Sequence, residues 1–357
     1  MDLVAPTATS APDHFQTTVA RRSANEVGRS ILSYDRGLGP SAAALKDRWK
    51  NTASSPSSFL RANPKTFHDG VVGAFASDVA LVARPAPRML VDNDAHFDQY
   101  SAYATRGGGV RWGLVDFDTA APGSPEWDHG RNAVHAVLLA REQGHPRAAQ
   151  RKLAEAFAAS YFGEIERLAS LRRGSALPGG LSINEASEDV RRVLQRAGNV
   201  RRADFLAKWV DLSDGRFKSS PWVEALPVER RAVLEQGLVE YASRLPRDLP
   251  IAVPLRILDV VAKAGSGGST LLRELEPQKQ RVDASCYTKL SSLDALARQA
   301  AVALARSHVH SAGNARALQA WAAPDGVAGG QCLAQFALTY ATRTTAYQQA
   351  FAVLAEP

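Results

Sequence analysis

Cysteine is scarce in this sequence: Cys286 and Cys332 are the only two in 357 residues, and neither has a Cys or His neighbour at metal-ligand spacing. A disulfide framework and a zinc finger are therefore excluded, and both thiols are expected in the core. Long apolar runs are missing too. The longest, such as Val79 to Ala83 and Ala136 to Ala140, fall far short of the roughly 20 residues a membrane helix needs, so a soluble chain without a membrane partner is expected. The opening residues carry Asp2, Pro6, Pro12 and Asp13 in place of a basic start and an apolar stretch. They do not read as a secretory signal, and a cytoplasmic location is expected. Neither a Gly-x-Ser-x-Gly elbow nor a zinc HExxH sequence occurs, which sets aside Ser-His-Asp hydrolases and zinc proteases.

What is present is enough apolar sequence for a full core. Hydrophobic residues make up 45% and charged residues 22%, the balance of a folded chain with one large or two ordinary domains. The net charge is +7, from 43 Lys and Arg against 36 Asp and Glu, which permits acidic or phosphate partners without specifying nucleic acid. The densest basic stretch, Arg191, Arg192, Arg196, Arg201 and Arg202, is interleaved with Val193 and Leu194 and not with exposed aromatics. A solvated helix face is the better reading there, and nucleic-acid binding is disfavoured.

Along the chain, a mobile arm is expected over residues 1–14, followed by an amphipathic helix near Phe15 to Leu32. Apolar spacing of three and four predicts helices over Ala42 to Thr52 and Gly70 to Ala83, and Arg88 to Val91 reads as extended. Tyr100 to Thr105 and Val110 to Phe117 alternate around Arg106-Gly-Gly-Gly109, the signature of a β-hairpin. Trp127 to Glu142 and Arg147 to Leu171 read as long helices, the second with Leu153, Phe157, Tyr161, Ile165 and Leu168 on one buried face. Ser182 with Glu185 resembles a capping box. Helices are expected to continue to about Leu245, with Pro246 to Pro254 as a linker. Leu255 to Ala262 reads as a strand or short helix. The last third reads as helices over Leu293 to His310, Ala315 to Ala322 and Gln331 to Leu354. His308 and His310 point about 200° apart on the last turn of the first of these, so at most one of them can face a given site. The fold class expected is α+β, predominantly helical.

The most unusual chemistry lies in Asp92-Asn-Asp-Ala-His-Phe-Asp98, Gln99 and, across the hairpin, Asp116-Phe-Asp118, which place five carboxylates within 27 residues. A hairpin that returns its end to its start gathers these groups, and gathered carboxylates repel unless protonated or bridged by cations such as Mg²⁺. The plainer alternative is a set of loop-solvating and turn-capping aspartates. As an exposed loop residue, Asp94 is expected to contribute little stability whether or not it is catalytic.

Asp94 with an amide five residues later at Gln99, then Asp116 opening an Asp-Phe-Asp run, resembles the active-site frame of kinase-like phosphotransferases. More narrowly, the chain resembles a bacterial family of unknown function within the protein-kinase-like (aminoglycoside-phosphotransferase-like) superfamily. The residues that carry this are Ser55-Pro-Ser-Ser-Phe-Leu-Arg61, Asn93-Asp-Ala-His-Phe-Asp-Gln-Tyr-Ser101, Val115-Asp-Phe-Asp118 and Glu126-Trp-Asp128 with Arg131 behind it. Asp259-Val-Val-Ala-Lys-Ala-Gly-Ser-Gly-Gly268, Arg273-Glu-Leu-Glu-Pro277 and Leu304-Ala-Arg-Ser-His-Val-His310 follow in order. Gln99 stands where the family has Asn, Asn93 and Ala62 where it has Gly, and only four residues separate Gly268 from Arg273, where the family interposes a longer segment with a Lys.

The resemblance implies a permuted, divergent two-lobed kinase-like fold with a reduced N-lobe equivalent. The catalytic-lobe-like region would span 15–250, the reduced nucleotide-lobe-like region 251–290, and helices packing on the former 291–357. It implies Asp94 as the hydroxyl-orienting catalytic group with His96 beside it, and Gln99, Asp116 and Asp118 as Mg²⁺ ligands. ATP would be met by Arg61, Lys263, Gly265, Gly267 and Gly268. The activity implied is a metal-dependent phosphotransferase, or related ATP-using enzyme, acting on a small molecule or peptide. The shortened segment and Gln99 keep two alternatives open: a catalytically impaired, pseudokinase-like binding protein, and a metabolite-tailoring enzyme that reuses the acidic cleft without nucleotide.

Overall fold

The computed structural model describes residues 23–37, 42–73, 86–105, 107–172, 174–220, 223–226, 228–244, 259–263, 278–322 and 326–355. The expected N-terminal arm, the linker from Pro246 to Pro254, and Gly265, Gly267 and Gly268 lie outside these residues. The chain divides into two compact units. The larger comprises Met1–Gly37, Trp49–Gly198 and Gln278–Pro357, and the smaller Leu38–Arg48 and Asn199–Pro277.

In chain order the described elements begin with α1 (Ala24–Gly37), α2 (Ala42–Ala53), α3 (Pro56–Ala62), α4 (Pro64–Gly73) and β1 (Met89–Val91). Next come β2 (Tyr100–Ala104), β3 (Val110–Leu114), β4 (Ala121–Gly123), α5 (Pro125–Glu142), α6 (Arg147–Ala169) and α7 (Glu188–Gly198). The smaller unit adds α8 (Arg202–Trp209), β5 (Val223–Ala225), α9 (Val228–Arg244) and β6 (Val261–Lys263), and α10 (Leu290–His308), α11 (Ala312–Ala322) and α12 (Gly326–Ala355) complete the larger one. The described chain is thus predominantly helical with a few short strands. No helix among the described residues is long and apolar enough to cross a membrane.

In the larger unit α6 lies at the centre, packed against α5, α10, α11 and α12. Its face of Leu153, Phe157, Tyr161, Ile165 and Leu168 is wholly buried, as the spacing predicts. Each such side chain contributes about 1.5–3 kcal/mol by leaving water. On this helical body sit two antiparallel strand pairs. β2 and β3 form the expected hairpin, with Tyr100 opposite Leu114, and β1 pairs with β4, with Met89 opposite Gly123. In the smaller unit β5 pairs antiparallel with β6.

α5 starts sharply: Ser124 caps it by accepting from the Glu126 N–H, and Pro125 sits in its first turn, where its missing donor costs nothing. Gly123 is required at this corner, because a Cβ there would lie 2.5 Å from the Trp127 ring and 2.7 Å from Val91. The result aims the first turns of α5 at the loop after β1.

Several expectations need correction. Cys286 is buried, but Cys332 is exposed on α12, so only one thiol belongs to the core. Ser182 and Glu185 do bond, the Ser182 hydroxyl and N–H both donating to Glu185 at 2.6 and 2.8 Å. They close a turn, however, because helix α7 begins only at Glu188. Arg191, Arg192, Arg196, Arg201 and Arg202 are exposed while Val193 and Leu194 are buried, the solvated face expected.

Candidate active site

The acidic residues occupy two turns. The first, residues 92–99, runs from β1 through a short 3-10 turn into β2; the second, residues 115–119, leaves β3 and leads through another into β4. The hairpin brings them together, the Val115 N–H donating to the Gln99 carbonyl at 2.9 Å. Each turn pivots on a left-handed residue, Asn93 at φ 68° and Asp116 at φ 76°, the only non-glycine residues with positive φ among those described. Asn and Asp tolerate this region better than other side chains. Backbone strain of this kind gathers at sites where geometry is over-determined.

The first turn is fixed from beneath by α5. Asp128, fully buried, accepts from the backbone N–H groups of Asp92 and Asn93 at 2.8 and 2.9 Å. Its Oδ2 also meets His308 Nε2 at 3.0 Å, and His308 Nδ1 meets the Tyr161 hydroxyl at 2.8 Å. His308 is therefore occupied in bracing the loop, and His310 is exposed. The Phe97 N–H donates to His135 Nδ1 at 3.1 Å; burial pulls His135 down to about 3, so its ring is a neutral acceptor. His68 Nε2 bonds the Asn93 carbonyl, and the Thr119 hydroxyl donates to the Asp92 carbonyl at 2.8 Å, tying the two turns together.

Asp94 stands at the mouth of this framework. Its Oδ1 accepts from Arg131 Nη2 at 2.5 Å and its Oδ2 from Gln99 Nε2 at 3.2 Å. The Arg131 side chain is 0% exposed and that of Asp94 17%. Arg131 also donates to the Leu60 carbonyl at 2.9 Å and lays its guanidinium over the Phe67 ring, 5.6 Å from the centroid. That aromatic face compensates Nε and Nη1, which are buried without hydrogen-bond partners. Burial raises the Asp94 carboxyl above its usual value, opposed by Arg131 and Gln99 and reinforced by Asp118. The expectation of an exposed Asp94 of little structural weight is therefore overturned, because it neutralises a buried arginine. Asp92 is raised further, to about 8, by burial and then by the neighbouring Asp128 carboxylate.

The other expected site residues are placed as follows. His96 is buried and its Nδ1 accepts from the Asp98 N–H at 3.2 Å, capping the 3-10 turn; burial holds it well below its usual value. Arg61 pairs with Asp98 Oδ2, and the Tyr287 hydroxyl donates to Asp98 Oδ1 at 2.7 Å. Burial alone would raise Asp98, but the combined charges and hydrogen bonds around it, those of Arg61 and Tyr287 among them, bring it below its usual value. Gln99 is buried against Asp94, Asp116 is half-buried, and Asp118 is exposed yet close enough to act on Asp94. Lys279 Nζ lies 3.7 Å from Asp116 Oδ2. Lys263 ends β6 in the smaller unit.

Oxygen donors such as Asp116, Asp118 and the Gln99 amide suit a hard cation. Asp116, however, already faces the Lys279 ammonium at 3.7 Å, a like charge where a resident cation would sit, and among the described residues no group of three His, Cys, Asp or Glu side chains that could hold a metal ion is found. Asp94, Asp98 and Asp116 instead each face a cation of the protein's own, Arg131, Arg61 and Lys279.

Sequence reasoning passed over Arg131, Lys279, Tyr287 and His135 as functional residues. One signal was available: Asp128, Arg131, Asn132 and His135 recur at helical spacing on an otherwise Ala-, Val- and Leu-rich helix, and all four are buried. A polar stripe on a buried helix needs partners, and those of Asp128, Arg131 and His135 lie in the acidic loop.

The candidate site is thus a pair of hydrogen-bonded acidic turns on a predominantly helical body. The chain belongs to the DUF2252 family of uncharacterized proteins conserved in bacteria, whose family model matches residues 48–271 and 260–353. No curated protein and no solved structure matches it.

Proposed function

We propose that this protein is a kinase-like phosphotransferase in which Asp94 orients the hydroxyl of a small-molecule or peptide acceptor. The observation that carries the reading is the fixation of Asp94: a partly exposed carboxylate held by a fully buried guanidinium on one oxygen and an amide on the other. Each carboxylate oxygen keeps a second lone pair. Oδ2, with the longer bond, is placed to accept an acceptor's O–H. The raised carboxyl favours taking up that proton as the oxygen attacks. Fixing the group in advance lowers the entropic part of the barrier. ATP as donor rests on the sequence resemblance alone.

The test is transfer of radiolabelled phosphate from ATP to a panel of hydroxyl acceptors by wild type and Asp94→Asn, each corrected for the folded fraction. We expect a loss of about 10²-fold or more, the usual scale for a general base. Transfer at the wild-type rate by Asp94→Asn would remove Asp94 from the chemistry.

A second reading, a kinase-like binding protein without turnover, is favoured by the internal pairing of Asp94, Asp98 and Asp116. It calls for a partner whose recovery in pull-downs falls with Asp116→Ala while no acceptor is phosphorylated.

A further inference from the structure

The acidic turns are crossed by a segment from the far end of the sequence. The Gln280 carbonyl accepts from the Ala102 N–H at 2.8 Å, pinning this segment to β2 beside the hairpin. Seven residues on, Tyr287 reaches Asp98 at 2.7 Å. Between these anchors and the second acidic turn stands Lys279, one residue before the pinned position, with its ammonium 3.7 Å from Asp116 and its side chain 24% exposed. The backbone bond at Gln280 fixes where Lys279 leaves the chain, so its approach to Asp116 is set by the fold and not by chance on a loose surface loop.

We propose that Lys279 is the resident cation of the second acidic turn: it takes the place beside Asp116 that a divalent ion would need, and it is a positive charge this turn offers to a phosphoryl oxygen. The proposal rests on the phosphotransferase reading for its ligand, and on the Lys279–Asp116 pair alone for its account of the metal. An ammonium group carries three donors and a compact charge, so it can bridge a carboxylate and a phosphoryl oxygen without any metal between them. Mg²⁺ demands near-octahedral oxygen geometry at about 2.0–2.1 Å. A carboxylate already facing an ammonium at 3.7 Å leaves no open side there for that shell. A divalent ion entering beside Asp116 would also meet the like charge of Lys279 at close range.

The experiment measures Mn²⁺ uptake by electron paramagnetic resonance, and the thermal shift given by ATP in EDTA and in Mg²⁺. Both use the full chain as wild type, Lys279→Met, Lys279→Arg and the double variant Lys279→Met/Asp116→Asn. Wild type and Lys279→Arg are expected to take up no stoichiometric Mn²⁺. Lys279→Met is expected to gain one site that the double variant loses. The ATP shift of wild type is expected to be equal in EDTA and Mg²⁺, and that of Lys279→Met to vanish in EDTA. One Mn²⁺ bound by wild type, or a wild-type ATP shift that appears only with Mg²⁺, overturns the proposal. Absence of any ATP shift in every buffer removes phosphoryl oxygen as the ligand and counts against the phosphotransferase reading. The Mn²⁺ result then still decides whether Lys279 holds the cation's place.

Discussion

The two acidic turns look alike as sequence and are held in opposite ways. Residues 92–99 rest on buried partners: Asp128 beneath two backbone amides, Arg131 on Asp94, and His135 on Phe97. Residues 115–119 present exposed Phe117, Asp118 and Thr119, and Asp116 meets a half-buried ammonium at 3.7 Å. Buried charges in low dielectric fix geometry firmly, because releasing either partner leaves the other uncompensated. A partly solvated pair is screened and adjustable. The first turn is thus firmly held and the second adjustable, which the proposed phosphotransferase would use to fix an acceptor while accommodating a charged donor.

The largest effect that would break this comparison is expected from Arg131→Met. Removing the guanidinium strands Asp94 and forfeits the bond to the Leu60 carbonyl, at a cost of about 3–5 kcal/mol. Chemical denaturation would show it, and a loss below about 1 kcal/mol would mean the pair is not buried in solution.

A smaller effect appears with pH. Asp92 is raised to about 8 in the folded chain from an ordinary 3.8, so the folded state keeps a proton that the unfolded chain releases. Its contribution is fully present below about pH 4 and is lost progressively as pH rises toward 8. Asp92→Asn keeps an acceptor for the Asp94 N–H, whose bond to Asp92 Oδ1 is 3.0 Å, and should flatten this slope. Unfolding free energies of both proteins compared across that window check it; identical slopes would place the titration elsewhere.

The smallest effect on stability is expected from Lys279→Met, about 1 kcal/mol or less and diminishing with added salt. A loss as large as that of Arg131→Met would erase the distinction between the turns.

Much of this arrangement is legible in the sequence, for a physical reason. The buried face of α6 and the β2–β3 alternation are local periodicities, and the hairpin that carries Asp116 back to Gln99 follows from turn residues between two alternating runs. What pairs with what across long separations is not local. Lys279 and Tyr287 reach Asp116 and Asp98 from more than 160 residues away, and β5 finds β6 across the intervening α9; no periodicity announces either. Arg131 is an intermediate case. A buried arginine is written with the same letter as a surface one, and only its place in the polar stripe of α5 distinguishes it. Cys332 fails for the opposite reason, since it precedes the buried Leu333 and Ala334 on α12 while its own position, like that of Gln331, faces out.

The central claim, that the first turn is a fixed template and the second is not, is tested most directly by amide hydrogen exchange in the wild-type chain. The N–H groups of Asp92, Asn93, Asp94, Phe97 and Asp98 all have acceptors within 3.2 Å. They are expected to exchange about a hundredfold or more slowly than those of Phe117, Asp118 and Thr119, the separation between a buried framework and an exposed turn. Exchange at equal rates in the two turns would contradict the account, because Asp94 would then sit on a loop no better held than its neighbour.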